Sequence, residues 1–357
     1  MRILQLIDSL EAGGAERMAV NYANSLADEI AFSGLVATRK EGSLLHQIGP
    51  NVSYLFLNKK GKLDLNAVFR LRSYVLKNKV THIHAHSTSF FLAFLLKLIH
   101  PSLIIIRHDH YGNNEFLETR PHFVLKLTTS FFKGVIVVNQ NLQNWSEQIL
   151  KAKNVIYLSN FSVKEINVSN LTILKGINEK RIVSLANLRE QKNHFLLLKV
   201  AQKLKQFYPD WTFHLVGKDF EDDYSIKIKQ LIQEYDLEHT VFLYGSKDDI
   251  GNILNQTSIA ILTSQSEGLP VALLEYGLYE KAVVVTNVGE IPKIVQHGKN
   301  GFIVDSNESE LFYQSLLELI ENEALRTDFG NALFDTIQKD YTAESVVRKY
   351  LEWLGEK

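Results

Sequence analysis

From Ile3 to Ile7 every position but Gln5 is apolar, the pattern of a strand buried on both faces. Ala15, Met18, Ala19, Tyr22, Ala23 and Leu26 then recur three and four residues apart, which predicts a helix with one buried face. Strand-like runs follow at Gly34–Thr38, Val52–Leu57, His82–Ala85, Leu103–Ile106, Val135–Val138 and Val155–Leu158. Helical patterns separate most of them, among them Leu65–Leu76 and Phe90–Ile99. The stretch 161–180 has no apolar period and is rich in Asn, Ser and Lys, so it reads as a linker. A second series begins beyond it, with strands Arg181–Ala186, Thr212–Val216, Val241–Tyr244 and Ser258–Thr263, and helices His194–Phe207 and Tyr224–Tyr235. Alternating strands and helices predict parallel sheets covered on both faces. The fold expected is therefore α/β, with two Rossmann-like domains, 1–160 and 181–340, facing a central cleft. Ligands of such sheets collect beyond the carboxyl ends of the strands.

Bulk properties narrow the function. A chain of 357 residues exceeds one comfortable core. With 45% hydrophobic and 22% charged residues it has a soluble globular composition, and a net charge of −1 gives no nucleic-acid footprint. Without cysteine there is no disulfide framework, no thiolate nucleophile and no cysteine-bound zinc. Charge interrupts Met1–Asp8 too early for a signal peptide, and the longest apolar run, Phe90–Leu96, is too short to span a bilayer. A cytoplasmic protein is expected.

Candidate chemistry concentrates in Ser264-Gln-Ser-Glu267-Gly268-Leu269-Pro270-Val-Ala-Leu-Leu-Glu275-Tyr276-Gly277. The apolar run Ile259–Thr263 predicts a strand, Gly268 a turn, and Pro270 the first position of a helix. The unpaired amides near Leu269–Ala272 and the positive end of the helix dipole then offer a seat for a phosphate. Glu267 lies just before this helix and Glu275 about a turn and a half inside it, where capping does not explain a carboxylate. Two acids beside an anion seat suit hydroxyl groups, and a sugar nucleotide presents both. The plainer reading is a strand-turn-helix with surface glutamates.

Glu, seven residues, Glu, with Gly-Leu-Pro after the first acid, resembles the signature of the family-four retaining glycosyltransferases, the group 1 enzymes of the glycosyltransferase B fold. Val283–Pro292 and Asn300–Val304 resemble that family's next two segments. The resemblance implies that Glu275 holds the ribose and Glu267 the donor sugar's hydroxyls. It also implies that 341–357, with its helical Ala343–Leu354, crosses back to the first domain. The glycine pair Gly13-Gly14, between a strand and a helix, lacks the full G-x-G-x-x-G fingerprint of dinucleotide sites and also reads as a plain tight turn. In the family such a loop faces the donor phosphates. Lys192 ends Asn187-Leu-Arg189-Glu-Gln-Lys192 and would neutralise the departing nucleoside diphosphate, unless it is an ordinary surface lysine. Asn187 stands where the family has an arginine, which leaves Arg189 as the nearest substitute.

Histidines cluster at His82, His84 and His86 and at His108 and His110, each set ending an apolar strand. By the resemblance His108, with His110 or His86 in reserve, would lie beside the transferred sugar. Read alone, the clusters fit either a metal site completed by Asp109, and hence a metal-dependent hydrolase, or hydrogen-bonded structural groups. No Asp-x-Asp triplet is present, so no metal or other cofactor is expected for the transferase. A sugar-nucleotide epimerase and a non-catalytic nucleotide-sugar-binding subunit are the rivals on the same fold. The implied partners are a nucleoside-diphosphate sugar, with UDP preferred and GDP in reserve, and a saccharide or lipid-linked acceptor in surface polysaccharide, lipopolysaccharide or capsule assembly. Lys97, Lys126 and Lys133 lie within apolar stretches, which suits either core-facing helices or helices lying on an anionic membrane face.

Overall fold

A computed structural model describes residues 1–61, 63–112, 114–164 and 172–355, without the side chains of 114 and 115. In chain order the first elements are β1 (Arg2–Ser9), α1 (Gly14–Leu26), β2 (Phe32–Lys40), β3 (Ser53–Phe56), α2 (Leu65–Lys77), β4 (His82–His86) and α3 (Phe90–Ile99). They continue with β5 (Ile104–Asp109), α4 (Phe123–Thr129), β6 (Gly134–Val137), α5 (Gln140–Gln148) and β7 (Val155–Tyr157). The second half has β8 (Arg181–Leu185), α6 (His194–Phe207), β9 (Thr212–Val216), α7 (Asp223–Glu234), β10 (Val241–Leu243), α8 (Ile250–Asn255) and β11 (Ile259–Leu262). It closes with α9 (Val271–Leu278), β12 (Ala282–Thr286), α10 (Ile291–Ile294), β13 (Phe302–Val304), α11 (Ser309–Glu321), α12 (Glu323–Asp340) and α13 (Ala343–Gly355).

Two compact units result, Met1–Phe161 with Ala343–Lys357, and Ser162–Thr342. The stretch expected as a linker is partly outside the described residues, at 165–171. Phe161 belongs to the first unit, where its carbonyl accepts from Asn21 Nδ2, whereas the part from 172 on is fastened to the second: Thr172 donates from its amide and its hydroxyl to Asp249, each at 2.8 Å, and Leu174 N–H donates to Gln256 Oε1.

Each unit holds one all-parallel sheet, ordered β3-β2-β1-β4-β5-β6-β7 in the first and β10-β9-β8-β11-β12-β13 in the second. Both have the doubly wound order, so each has a switch point, between β1 and β4 and between β8 and β11, where consecutive connections leave to opposite sides. Strand alternation feeds two cores per sheet. In β11 and β12, Ile259, Ile261 and Val284 pack with α6 and α11 through Leu197 and Phe312, while Ala260, Leu262, Val283 and Val285 pack with α9 and α12 through Leu273 and Leu333. The first unit does the same, with Leu4, Leu6 and Ile83 in one core and Ile7, Leu35 and Ala37 in the other. Burial on both faces explains why these strands read as continuous apolar runs. Among the described residues no helix is long and apolar enough to cross a membrane.

Candidate active site

The switch point of the second sheet is built from the loops after β8 and β11. Asn193 takes a left-handed conformation (φ 50°) that Asn tolerates, turning the chain from the short 3-10 turn Glu190–Lys192 into α6. The two loops are stitched together: Gln265 N–H donates to Gln191 O at 2.8 Å, and Thr263 Oγ1 donates to Lys192 O at 2.9 Å. Across this seam Lys192 Nζ donates to Glu267 Oε1 at 2.5 Å, and Ser264 Oγ donates to the same oxygen at 2.6 Å. Glu267 is 4% exposed, while the Lys192 side chain is 18% exposed. A carboxylate this enclosed needs its cation, because desolvation of an unpaired charge costs several kcal/mol. The charge of Lys192, after burial itself, also helps push the neighbouring His194 down to about 4.

Helix α9 starts at Val271, and Pro270 is its extended N-cap rather than its first helical residue (φ −69°, ψ 122°). The amides of Val271 and Ala272 lie in the first turn, where no intrahelical acceptor exists for them. Glu275 falls one turn further on and is 8% exposed. Its neighbour Tyr276 fixes the helix to the sheet, accepting from Leu185 N–H at 2.7 Å at the end of β8 and reaching Ile261 O at 3.4 Å in β11.

The left-handed backbone at this turn is at Gly289 (φ 55°), not at Gly268, where the sequence placed the conformational need. A Cβ on residue 289 would stand 2.1 Å from Glu267 O, and Glu290 N–H donates to Gly268 O at 3.0 Å. The Glu267 turn thus leans on Gly289. Gly289→Ala should cost about 1–3 kcal/mol of stability from dihedral strain and also displace Glu267. Gly298→Ala is the control, because Gly298 has a similar φ of 73° and open space around it. Equal melting losses with equal retained activity in the two variants would contradict this role.

The second cation is not where an arginine would be. Asn187 Oδ1 accepts from Lys218 N–H at 2.7 Å and so positions the loop after β9. Arg189 is exposed, with its guanidinium 4.6 Å from the Phe220 ring centroid; Lys218 Nζ lies 5.2 Å from the same centroid.

In the first unit Gly13 is the extended N-cap of α1 (φ −167°) and Gly14 its first residue, so neither is needed for backbone conformation. Glu16, at the third helical position, has Oε2 2.3 Å from where a Cβ on residue 13 would stand. The protein's own carboxylate therefore covers this helix start, as in a capping box.

The histidines stack on one sheet face beneath Tyr22 of α1 and Tyr350 of α13. His84 Nε2 and His108 Nδ1 lie 3.0 Å apart, His86 Nδ1 and His110 Nε2 2.9 Å, and His86 Nε2 is 2.8 Å from Gln5 Oε1. Burial, reinforced by neighbouring histidines, holds His84, His86 and His108 well below the usual range, and burial takes His110 down to about 4. His84, His86 and His108 have ligand atoms within 4.8 Å of one another, the spacing of a possible metal site. Most of these nitrogens are turned toward each other or toward Gln5, and only His84 Nδ1 and His108 Nε2 lack partners among the described residues. Asp109 points elsewhere, to Arg107 and Arg120. Their charges outweigh its burial and hold it at about 2. It does not complete a histidine site. His108, expected beside the reacting sugar, is fully enclosed because strand alternation turns it under α1 and α13. His110, one residue past β5, is half-buried.

Residues 12–161 match Glycosyltransferase Family 4, and residues 173–334 match Glycosyl transferases group 1. The chain is a family-four, group 1 glycosyltransferase. It is 26% identical to an uncharacterized glycosyltransferase of Haemophilus influenzae, over 96% of both chains. It is 24% identical to the amylovoran biosynthesis glycosyltransferase AmsD of Erwinia amylovora, over 99% of both. Among solved structures, Anabaena Alr3699/HepE in complex with UDP and glucose superposes over 100% of both chains with a TM-score of 0.79 at 20% identity. The two-domain glycosyltransferase B fold is thereby established. Within this glycosyltransferase, sequence reasoning missed Ser264, Tyr276, Gly289 and Lys218. Ser264 and Tyr276 stood without a role inside the Glu267–Glu275 stretch and Gly289 inside the Val-Gly-Glu-Ile-Pro segment that resembles the family, while Lys218 left no sequence signal.

Proposed function

We propose that this glycosyltransferase moves a sugar, with retention, from a UDP-sugar to a saccharide or lipid-linked acceptor in surface polysaccharide, lipopolysaccharide or capsule assembly. The observation that carries this reading is the Lys192–Glu267 pair beside the first turn of α9, with Glu275 one turn on, at the β8/β11 switch point. The α9 amides and Lys192 bind the diphosphate, Glu275 the ribose hydroxyls, and Glu267 the donor sugar hydroxyls. Arg189 and Lys218, both beside the Phe220 ring, supply further positive charge. By the family resemblance Gly13 and Gly14 face the donor phosphates, at a helix start that Glu16 covers in this structure. His110, which has exposed surface, takes the sugar-facing role first given to His108. The Anabaena relative's complex with UDP supports uridine as the base. AmsD, and a capsular polysaccharide glycosyltransferase of Staphylococcus aureus 22% identical to the chain, support polysaccharide assembly.

Retention by double displacement needs a free carboxylate nucleophile at the anomeric carbon. Glu267 is instead held by Lys192 and Ser264, which favours front-face substitution. The bond from the anomeric carbon to the diphosphate oxygen breaks, the acceptor oxygen bonds on the same face, and its proton passes to the departing diphosphate. Lys192 and the helix dipole stabilise the charge that develops, so no divalent ion is needed. The enzyme would act at the cytoplasmic face of the membrane, where lipid-linked acceptors are presented. Proton NMR of the product should give the anomeric configuration of the donor, with the rate unchanged by chelator. An inverted product or a glycosyl adduct on a carboxylate would overturn the mechanism.

A further inference from the structure

The first unit buries only part of the apolar surface of α3 and α4. Leu92, Ala93, Leu96 and Leu125 face the core, as one reading of the sequence expected. Phe123 is 74% exposed, Leu127 60%, Leu98 52%, and Val124, Phe131 and Ile99 are also exposed. Phe123 and Leu127 lie one turn apart on α4, and Phe131 follows in the turn just past its end. Phe131 packs edge-on against Phe94 of α3 at 4.9 Å, which joins the exposed faces of the two helices into one patch. Large apolar residues left together at a surface mark an interaction site.

Along the two segments that carry the patch the charges have one sign. Neither 90–108 nor 119–146 contains an Asp or Glu, and the exposed acids that flank the second segment are Glu118 and Glu147. Lys97 spends its ammonium on Pro101 O and Leu103 O, and Arg120 on Asp109. Lys126 and Lys133 are exposed and make no ion pair among the described residues. A second copy seated here by two-fold symmetry would set lysine against lysine. An anionic bilayer surface satisfies both features, taking the apolar side chains below its headgroups and pairing its phosphates with the lysines.

We infer that the α3–α4 face, centred on Phe123, Leu127 and Phe131 with Lys126 and Lys133, docks on an anionic lipid surface. The inference deepens the proposed use of a lipid-linked acceptor but is tested without donor or acceptor. Flotation of the full chain with vesicles of phosphatidylcholine alone, or mixed with phosphatidylglycerol, measures the partitioning. The expected result is preference for the mixed vesicles. Lys126→Glu with Lys133→Glu should lower that partitioning by about thirtyfold or more, and Phe123→Ser with Leu127→Ser by at least about tenfold on both vesicle types. Both double variants should keep wild-type UDP binding and circular dichroism, since neither touches the second unit's site. Absent vesicle binding, binding indifferent to both pairs of substitutions, or a concentration-dependent dimer abolished by Phe123→Ser would overturn it. UDP binding that survives such a failure leaves the transferase reading standing, whereas loss of UDP binding in the wild type would sink that reading alone.

Discussion

Lys192→Ala should lower kcat/KM for sugar transfer by about 10²–10³, the range for removing one preorganised group that stabilises transition-state charge. In the structure the lysine's ammonium neutralises the enclosed Glu267, and under the proposed function it also faces the departing diphosphate during transfer. Removing it leaves the enclosed Glu267 carboxylate without its cation, so a stability loss of a few kcal/mol accompanies the catalytic one. Glu267→Gln separates the two tasks. It keeps the shape of the side chain and frees Lys192, so the protein should stay folded and bind UDP while kcat falls, because the donor sugar loses its charged acceptor. Steady-state kinetics with thermal melts on both variants check this. A Glu267→Gln enzyme with wild-type kcat would remove Glu267 from the catalytic set.

Acidification should open the first unit well before ordinary carboxylate titration does so. His84, His86 and His108 are held well below 6.5, and His110 near 4, so the folded unit keeps all four neutral. The unfolded chain takes up a proton at each as pH falls through 6.5, so stability is fully present above that value and declines below it. Between pH 6.5 and 5.5 each histidine removes about 1 kcal/mol, or about 4 kcal/mol for the set. That is a large share of the 5–15 kcal/mol typical of a domain. The groups around them do not offset this: Tyr22 and Tyr350 stay neutral, their phenols pushed up by burial, while Asp109 is committed to Arg107 and Arg120. Urea melts followed at pH 7.5, 6.5 and 5.5 should show the first unit's transition moving down steadily. His110→Gln should reduce that slope by about one proton. A transition independent of pH in this window would mean that the stack accepts protons without opening.

The two cases differ in how much the sequence disclosed. Continuous apolar strands and amphipathic helices were legible because parallel sheets are covered on both faces, and helix α6 falls at His194–Phe207 as its spacing predicts. Glu267, Glu275 and Lys192 were legible as residue types at strand ends, and the seam between the β8 and β11 loops supplied the contact that sequence spacing cannot give, across 75 residues. The histidines were legible as a cluster but not in their surroundings. Their enclosure depends on Tyr350, which lies far along the chain on α13, and no local pattern announces that cover. Gly268 drew attention because it adjoins the acid, whereas the strained position is Gly289, brought there by the turn after β12. The apolar runs at α3 and α4 gave no means of dividing core from surface until the buried faces were known.

The most direct test of the account is calorimetric titration of UDP into the wild-type protein and into Glu275→Ala, each with and without chelator. UDP should bind the wild type with chelator making no difference, and Glu275→Ala should lose affinity by about tenfold or more, since a hydrogen bond to a charged group contributes roughly 1.5–3 kcal/mol. Wild-type affinity in a folded Glu275→Ala protein would contradict the placement of the nucleotide at the β8/β11 switch point.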